Sequence, residues 1–417
     1  MVLTRRLRFS KKEGFLVSTW KRNLYICWFG CFLTAAGMNL VIPFLPLYIT
    51  QLGEHHNVEV WSSFAFSSTF ITAAIFSPIW GKLADKIGRK PMLIRASIGM
   101  AIIMILMGFA QNAFQLVALR FFMGAVSGFI PAAIILVASQ APTKKSGWAL
   151  GLLSTGGVGG TLIGPLLGGL LADLIGLREV FWITGTMLFF TFLVCLYIKE
   201  DFKPMVKAKS SNISQQSIDK KAFLKITSGI FVTTFILQAA LMSIQPFLSL
   251  YVADLGGNVS YLAFLAGIVT AVSGVSNLIA APFLGRLGDK IGPQKVLQFS
   301  LVIVGFILGL HAIVHNVWEL VFLRFIIGFG LGGLIPAINT LLKKVVPDEL
   351  TGKAFGFNQT AQYMGNFIGP ICGGQIASGL GIPAVFIVSC SLLLVNAVWV
   401  YFIRKKAVNT YRIIKDN

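Results

Sequence analysis

Charge is scarce in this chain of 417 residues: 12% are Asp, Glu, Lys or Arg, against about 25% in a soluble domain. Acids are scarcer still, 15 of them beside 35 Lys and Arg, and all fifteen fall in polar stretches or near the ends of apolar runs. With mean hydropathy +0.80, this excludes an ordinary soluble domain. The few cysteines, Cys27, Cys31, Cys195, Cys372 and Cys390, lie within apolar runs and show neither disulfide nor zinc spacing, so small packing roles are expected. No metal set, nucleophile–base pair or nucleotide loop is present; the glycine runs Gly157–Gly160 and Leu331–Pro336 sit inside apolar runs rather than after strands. An enzyme is therefore not expected, nor a cofactor, nor a bound metal. No large polar domain suggests a sensor or scaffold, and no short apolar region with a cleavage site follows the basic start MVLTRRLRFSKKEGF, so the first apolar run is expected to be retained.

What is present is a duplication. Gly81–Leu93 (GKLADKIGRKPML) returns as Gly285–Leu297 (GRLGDKIGPQKVL), and Pro43–Gly53 returns as Pro246–Gly256. Arg120 returns as Arg324, and GPLLGG from Gly164 returns as GPICGG from Gly369. The offsets are 203, 204 and 205 residues, so a whole domain is repeated, not a short motif.

Apolar runs of the roughly 20 residues that cross a bilayer recur twelve times. The expected spans are 23–50, 61–84, 92–111, 114–139, 147–172 and 179–198, then 226–254, 261–285, 296–314, 318–342, 354–378 and 383–403. The fold class is all-α integral membrane protein, with twelve transmembrane helices in two pseudo-symmetric six-helix bundles. Residues 1–22 form a tail, 23–198 the first bundle, 199–225 a polar linker with a weakly ordered middle and an interfacial helix, 226–403 the second bundle and 404–417 a second tail. Six spans per repeat is an even number, so the halves are parallel.

The formal net charge of +20 would suit nucleic acid in a soluble protein. Here 32 of the 35 basic residues fall on the side that holds both tails, the linker and the repeated loops. Cytoplasmic loops carry such an excess, so both termini are expected in the cytoplasm, with no nucleic-acid partner. A basic linker beside a bilayer also attracts anionic lipid headgroups.

The loop with Gly81, Asp85, Gly88, Arg89 and Lys90 resembles the signature between helices two and three of the major facilitator superfamily. Pro43–Pro46 (PFLP) resembles its first-helix proline motif, Arg120 with Gly124 its fourth-helix motif, and Gly160–Gly169 (GTLIGPLLGG) its fifth-helix exporter motif. The resemblance covers nearly the whole chain, and within the superfamily it is greatest to the twelve-helix drug:proton antiporters of bacteria. It implies a secondary active transporter of the inner membrane, acting as a monomer and exporting small lipophilic drugs or toxic compounds in exchange for protons. A transporter or flippase of an endogenous lipid or metabolite is the alternative.

Each motif also has a physical reading. Asp85 beside Arg89 and Lys90 can form a charge-assisted network that exists in one gate state and breaks in the other, or it can belong to a turn that only fixes topology. Gly285 and Asp289 repeat it, but Pro293 and Gln294 replace Arg89 and Lys90, so the first half is expected to carry more of any latch. Gly160, Gly164, Pro165, Gly168 and Gly169 permit close helix packing in lipid, either sealing the halves or joining an ordinary helix pair. Arg120, inside the fourth span, is an embedded cation that either bonds first-helix carbonyls and biases a proton site, as the resemblance implies, or snorkels. Met123 stands where that motif often has glutamine.

No acid lies mid-span, so Asp254, Glu319 and His311, the last with His315 one turn on, are the remaining proton-coupling candidates. Asn358, Gln362 and Asn366 form an i, i+4, i+8 stripe; with Gln238, Gln245 and Asn39 they either line a substrate cavity or bond between helices. With 35 phenylalanines, such a cavity would suit large lipophilic, neutral or zwitterionic compounds.

Overall fold

The structure, a computed structural model, describes residues 2–142, 145–200, 220–256, 261–346 and 350–415. Eleven helical stretches among them are long and apolar enough to cross a membrane. In the first half these are α1 (Thr19–Gln51), α2 (Val58–Ile87), α3 (Arg89–Gly108), α4 (Ala113–Gln140), α5 (Ser146–Ile175) and α6 (Leu177–Leu196). In the second they are α7 (Thr227–Gly256), α8 (Leu262–Ile291), α9 (Pro293–His311), α10 (Val317–Val345) and, after α11, α12 (Ile382–Phe402).

Helix α11 (Thr351–Leu380) is as long as α2, at 30 residues. It falls short in apolarity because Asn358, Gln362, Asn366 and Gln375 interrupt it. Its place in the repeat, beside α7 and α2, completes the twelve. At about 1.5 Å per residue these helices are about 28 to 50 Å long, enough for the ~30 Å hydrocarbon layer, the longer ones with tilt. The linker's expected interfacial helix and loose middle fall largely on 201–219, outside the described residues.

Proline sets where the first helix of each half bends. Pro43 and Pro46 lie in and just after a short 3-10 turn, Ile42–Phe44, and Pro246 lies in its twin, Gln245–Phe247. A ring without an N–H cannot continue the α ladder there. At the repeated loops, Gly88 (φ 98°) and Gly292 (φ 96°) close α2 and α8 and open α3 and α9 in a backbone region that β-carbon residues rarely adopt.

Packing repeats as faithfully as sequence. In the first half α1 packs on α5, α2 on α4 and α3 on α6; in the second α7 packs on α11, α8 on α10 and α9 on α12. The halves join through α5 against α8 and α2 against α11. Each half has its own apolar core. Tyr48 donates to the carbonyl of Met107 (2.9 Å) against Phe181, and Tyr251 donates to the carbonyl of His311 (2.7 Å) against Phe386.

Candidate functional site

Glycines on α5 and α11 decide how close the helices come. A β-carbon on Gly160, Gly164 or Gly168 would overlap the carbonyls of Phe32, Ala36 and Leu40 on α1. On α11, Gly365, Gly369 and Gly373 sit equally close to Phe235, Ala239 and Ser243 of α7. One residue on, the ridge turns to the other half: Gly169 lies on the backbone of Ala263 in α8, and Gly374 on Ser63 and Glu59 of α2. Gly267 of α8 in turn abuts the carbonyl of Pro165. The glycines of this stretch therefore pack α5 against α1 and, through Gly169 and Gly267, α5 against α8. Pro165 stays inside one uninterrupted helix.

This seam lies at the ends of α5, α8, α2 and α11 that are remote from the linker. There Asp173, absent from the residues singled out in the sequence, accepts the amides of Ala263 (3.2 Å) and Phe264 (2.8 Å) at the start of α8, tying the halves together. At the linker end nothing lies within 4 Å of a β-carbon on Gly81, Gly147, Gly151, Gly285 or Gly356. The close glycine contacts that join the halves thus lie at the end remote from the linker.

At the linker end sits the repeated loop, the gate candidate of the sequence. Asp85, 66% exposed, pairs with Arg89 one turn on. The helix end beside it is held by a different acid: Glu200 accepts the amides of Arg89 (2.9 Å) and Lys90 (2.6 Å), capping α3, while Lys90 Nζ donates to the carbonyl of Leu196 (2.9 Å). Buried Asn23 donates to Gln140 (2.8 Å) and to the carbonyl of Lys199 (2.6 Å), fixing the chain just before Glu200. In the second copy Asp289 forms no ion pair among the described residues.

The embedded arginines are buried, at 5% exposure for Arg120 and 7% for Arg324, so neither snorkels. The expected bond from Arg120 to α1 carbonyls is not formed by its Nε or Nη2, which find no partner among the described residues, nor do those of Arg324. Helix α4 is pinned to α2 instead: Thr69 donates to the carbonyl of Arg120 (3.0 Å), Thr72 to that of Phe121 (2.7 Å), and Gly124 lies against both threonines.

The other coupling candidates separate. His311 is fully buried, its Nδ1 2.7 Å from the carbonyl of Ile307 and its ring stacked on Phe386, whereas His315 is largely exposed, so the two do not form a metal pair. Glu319 completes a helix cap with Asn316, and neutral Gln115 does the same with Asn112 in the first half. A cap that works with glutamine explains Glu319 without a proton.

The amide stripe also divides. Asn358 is buried and accepts from Thr234 of α7 (2.7 Å), so it joins helices rather than lining a cavity. Asn39 donates to Ala35 of its own helix, and Gln238 packs against Gly365. Gln245, Gln362 and Asn366 remain partly exposed, and Asn366 Oδ1 has no partner among the described residues. Cys27, Cys31 and Cys195 are buried, but Cys372 is exposed and does not fill a core.

The family model described as Major Facilitator Superfamily matches residues 27–275 and 230–413, two overlapping matches that together span nearly the whole chain. The chain is 47% identical over 390 residues to Multidrug resistance protein MdtG of Proteus mirabilis (strain HI4320), covering 92% of this chain and 97% of that protein. It is 48% identical over 383 residues to Multidrug resistance protein MdtG of Enterobacter lignolyticus (strain SCF1), covering 91% of each. Among solved structures, a mutant form of the nucleoside transporter NupG superposes with TM-score 0.77 at 14% identity, over 92% of this chain and 99% of that one. A bacterial homolog of the human lysosomal transporter Spinster does so with TM-score 0.77 at 14% identity, over 93% and 97%. With the repeat, the packing and these matches in agreement, the chain belongs to the Major Facilitator Superfamily, on its multidrug-efflux branch.

Proposed function

We propose that the chain exports lipophilic drugs or toxic compounds from a bacterial cell by alternating access, in exchange for protons. The observation that carries this reading is the seam at the end remote from the linker, where Gly169 and Gly267 bring α5 onto α8 and Gly374 brings α11 onto α2. The Lys/Arg excess supports a cytoplasmic place for the linker end, the gate loop and both termini of an inner-membrane protein. Halves joined at the outer end suit loading from the cytoplasm, the first step of an exporter. The acid-free, phenylalanine-rich spans suit neutral or zwitterionic lipophilic cargo, and the relatives' name, multidrug resistance protein, supports it. One chain supplies both halves, so a monomer suffices, with protons and membrane lipids as its other partners. Of the coupling candidates, buried Arg120 and outer-end Asp254 fit best, because Glu319 is a cap and His311 is sealed in a core.

A drug-panel growth assay and extrusion from everted vesicles test the proposal. Resistance to several lipophilic compounds is expected, with extrusion stopped by a protonophore but not by ATP depletion at a constant gradient. Extrusion that survives collapse of both the pH gradient and the membrane potential would remove proton coupling. One observation favours the lipid alternative. An apolar cleft of about 720 Å³ opens at the outer seam between Leu170 and Leu174 of α5, Phe264 and Leu265 of α8, and Trp318 of α10. An expressing strain with no drug phenotype but an altered lipid distribution across the membrane would support it.

A further inference from the structure

Helix α4 is broken, and its twin α10 is not. Its two pieces are Ala113–Val126 and Phe129–Gln140, whereas α10 runs unbroken through Val317–Val345. The break has a local cause: Pro131 offers no amide hydrogen to the carbonyl of Ser127, four residues back, and its ring crowds that carbonyl. Gly128, at φ 117°, turns the chain there. Helix α10 carries Pro336 one position further along the repeat and stays helical, so a proline alone does not decide the matter.

What differs is the surrounding pair of side chains. Arg95 of α3 donates Nη2 to the freed carbonyl of Ser127 (3.0 Å), and Trp80 of α2 donates its indole N–H to the carbonyl of Ala125 (2.7 Å). The Arg95 guanidinium lies 3.7 Å from the centre of the Trp80 ring. Its Nε and Nη1 are buried without partners, and no acid pairs with it among the described residues. At the matching positions the second half has Leu284 and Phe299, which can donate nothing. The position of this clasp matters. Trp80 immediately precedes Gly81, and Arg95 follows Lys90 by little more than a helical turn, so the clasp joins both helices that flank the gate loop to the break in α4.

We propose that Arg95 is a positioning residue for transport: with Trp80 it holds the break in α4, so that the segment Phe129–Gln140 moves together with the gate loop when the linker side closes. The proposal rests on the alternating-access reading and adds a hinge confined to the first half. Discontinuous helices in transporters line the path that must open and close.

The test compares Arg95→Met, Arg95→Lys, Trp80→Phe and the second-half control Phe299→Met, by drug uptake into everted vesicles and by spin-label distances. The labels sit on Ile87→Cys, beside the gate loop, and Ala138→Cys, in the swinging segment, with the native cysteines replaced. Arg95→Met is expected to lower the maximal rate about tenfold while KM stays within about twofold, as when one buried carbonyl loses its donor in a moving step. It should also broaden the narrow label distance seen in the parent protein. Arg95→Lys and Trp80→Phe should lie between, and Phe299→Met should change neither readout. If Arg95→Met fails to accumulate, Arg95→Lys at normal abundance decides by its rate and distance. Parental rate and distance in Arg95→Met, a rise in KM alone, or equal losses in Phe299→Met would overturn the proposal. Absence of transport by the parent protein would instead defeat the export reading, and the label distances would still decide the hinge.

Discussion

The first six helices and the second six are built on one plan, yet among the described residues only the first pairs its loop charges and breaks a helix at its linker end. Both halves bury an arginine in the same place, hang a tyrosine on the same carbonyl and press a glycine ridge onto their first helix. The first half alone pairs Asp85 with Arg89, caps α3 with Glu200 and breaks α4 under Arg95 and Trp80. What is shared is frame, and what diverged sits at the linker end. A duplicated transporter can thus keep symmetric packing while its two copies differ in loop charge pairing and helix continuity.

Substitutions made in twin pairs can break this comparison. The largest effect is expected at the buried arginines. Arg120→Ala should abolish coupled transport at matched expression, Arg120→Lys should retain a fraction because the charge survives without the planar fork, and Arg324→Ala should be milder. Full activity in Arg120→Ala would reduce the residue to packing. The glycine ridge should behave symmetrically. Gly168→Val and Gly373→Val both force a side chain into a backbone carbonyl, an overpacking cost of about 1–3 kcal/mol, and should lower thermal stability and transport alike. Gly157→Ala, with nothing within 4 Å, should be neutral in the same melting assay. The smallest effect is expected at Glu319→Gln, which copies Gln115 of the first half and should change stability by less than about 0.5 kcal/mol and leave proton release on substrate addition intact. Loss of that proton signal would return Glu319 to the coupling machinery.

Much of the frame is legible in the sequence. Apolar runs and the 204-residue offset give the helices and their pairing, because burial in lipid leaves few alternatives. Helix α11 is legible only through the repeat, since its amides dilute its hydropathy. The site is less legible. A stripe such as Asn358, Gln362 and Asn366 has the same spacing whether it faces a cavity or a neighbouring helix, and only Thr234 across the packing decides for Asn358. Glu200 and Asp173 act on amides about a hundred residues away, which no local pattern announces. Arg95 did leave a signal: aligning the copies sets it against Phe299 and Trp80 against Leu284, a loss of charge and donor in an otherwise faithful repeat.

The most direct test of a gate concentrated in the first half is the initial rate of drug uptake into everted vesicles by Asp85→Asn and Asp289→Asn at equal membrane abundance. Asp85→Asn is expected to lower the rate about fivefold or more, and Asp289→Asn to stay within about twofold of the parent. Equal rates in the parent and Asp85→Asn, or equal losses in the two variants, would contradict it.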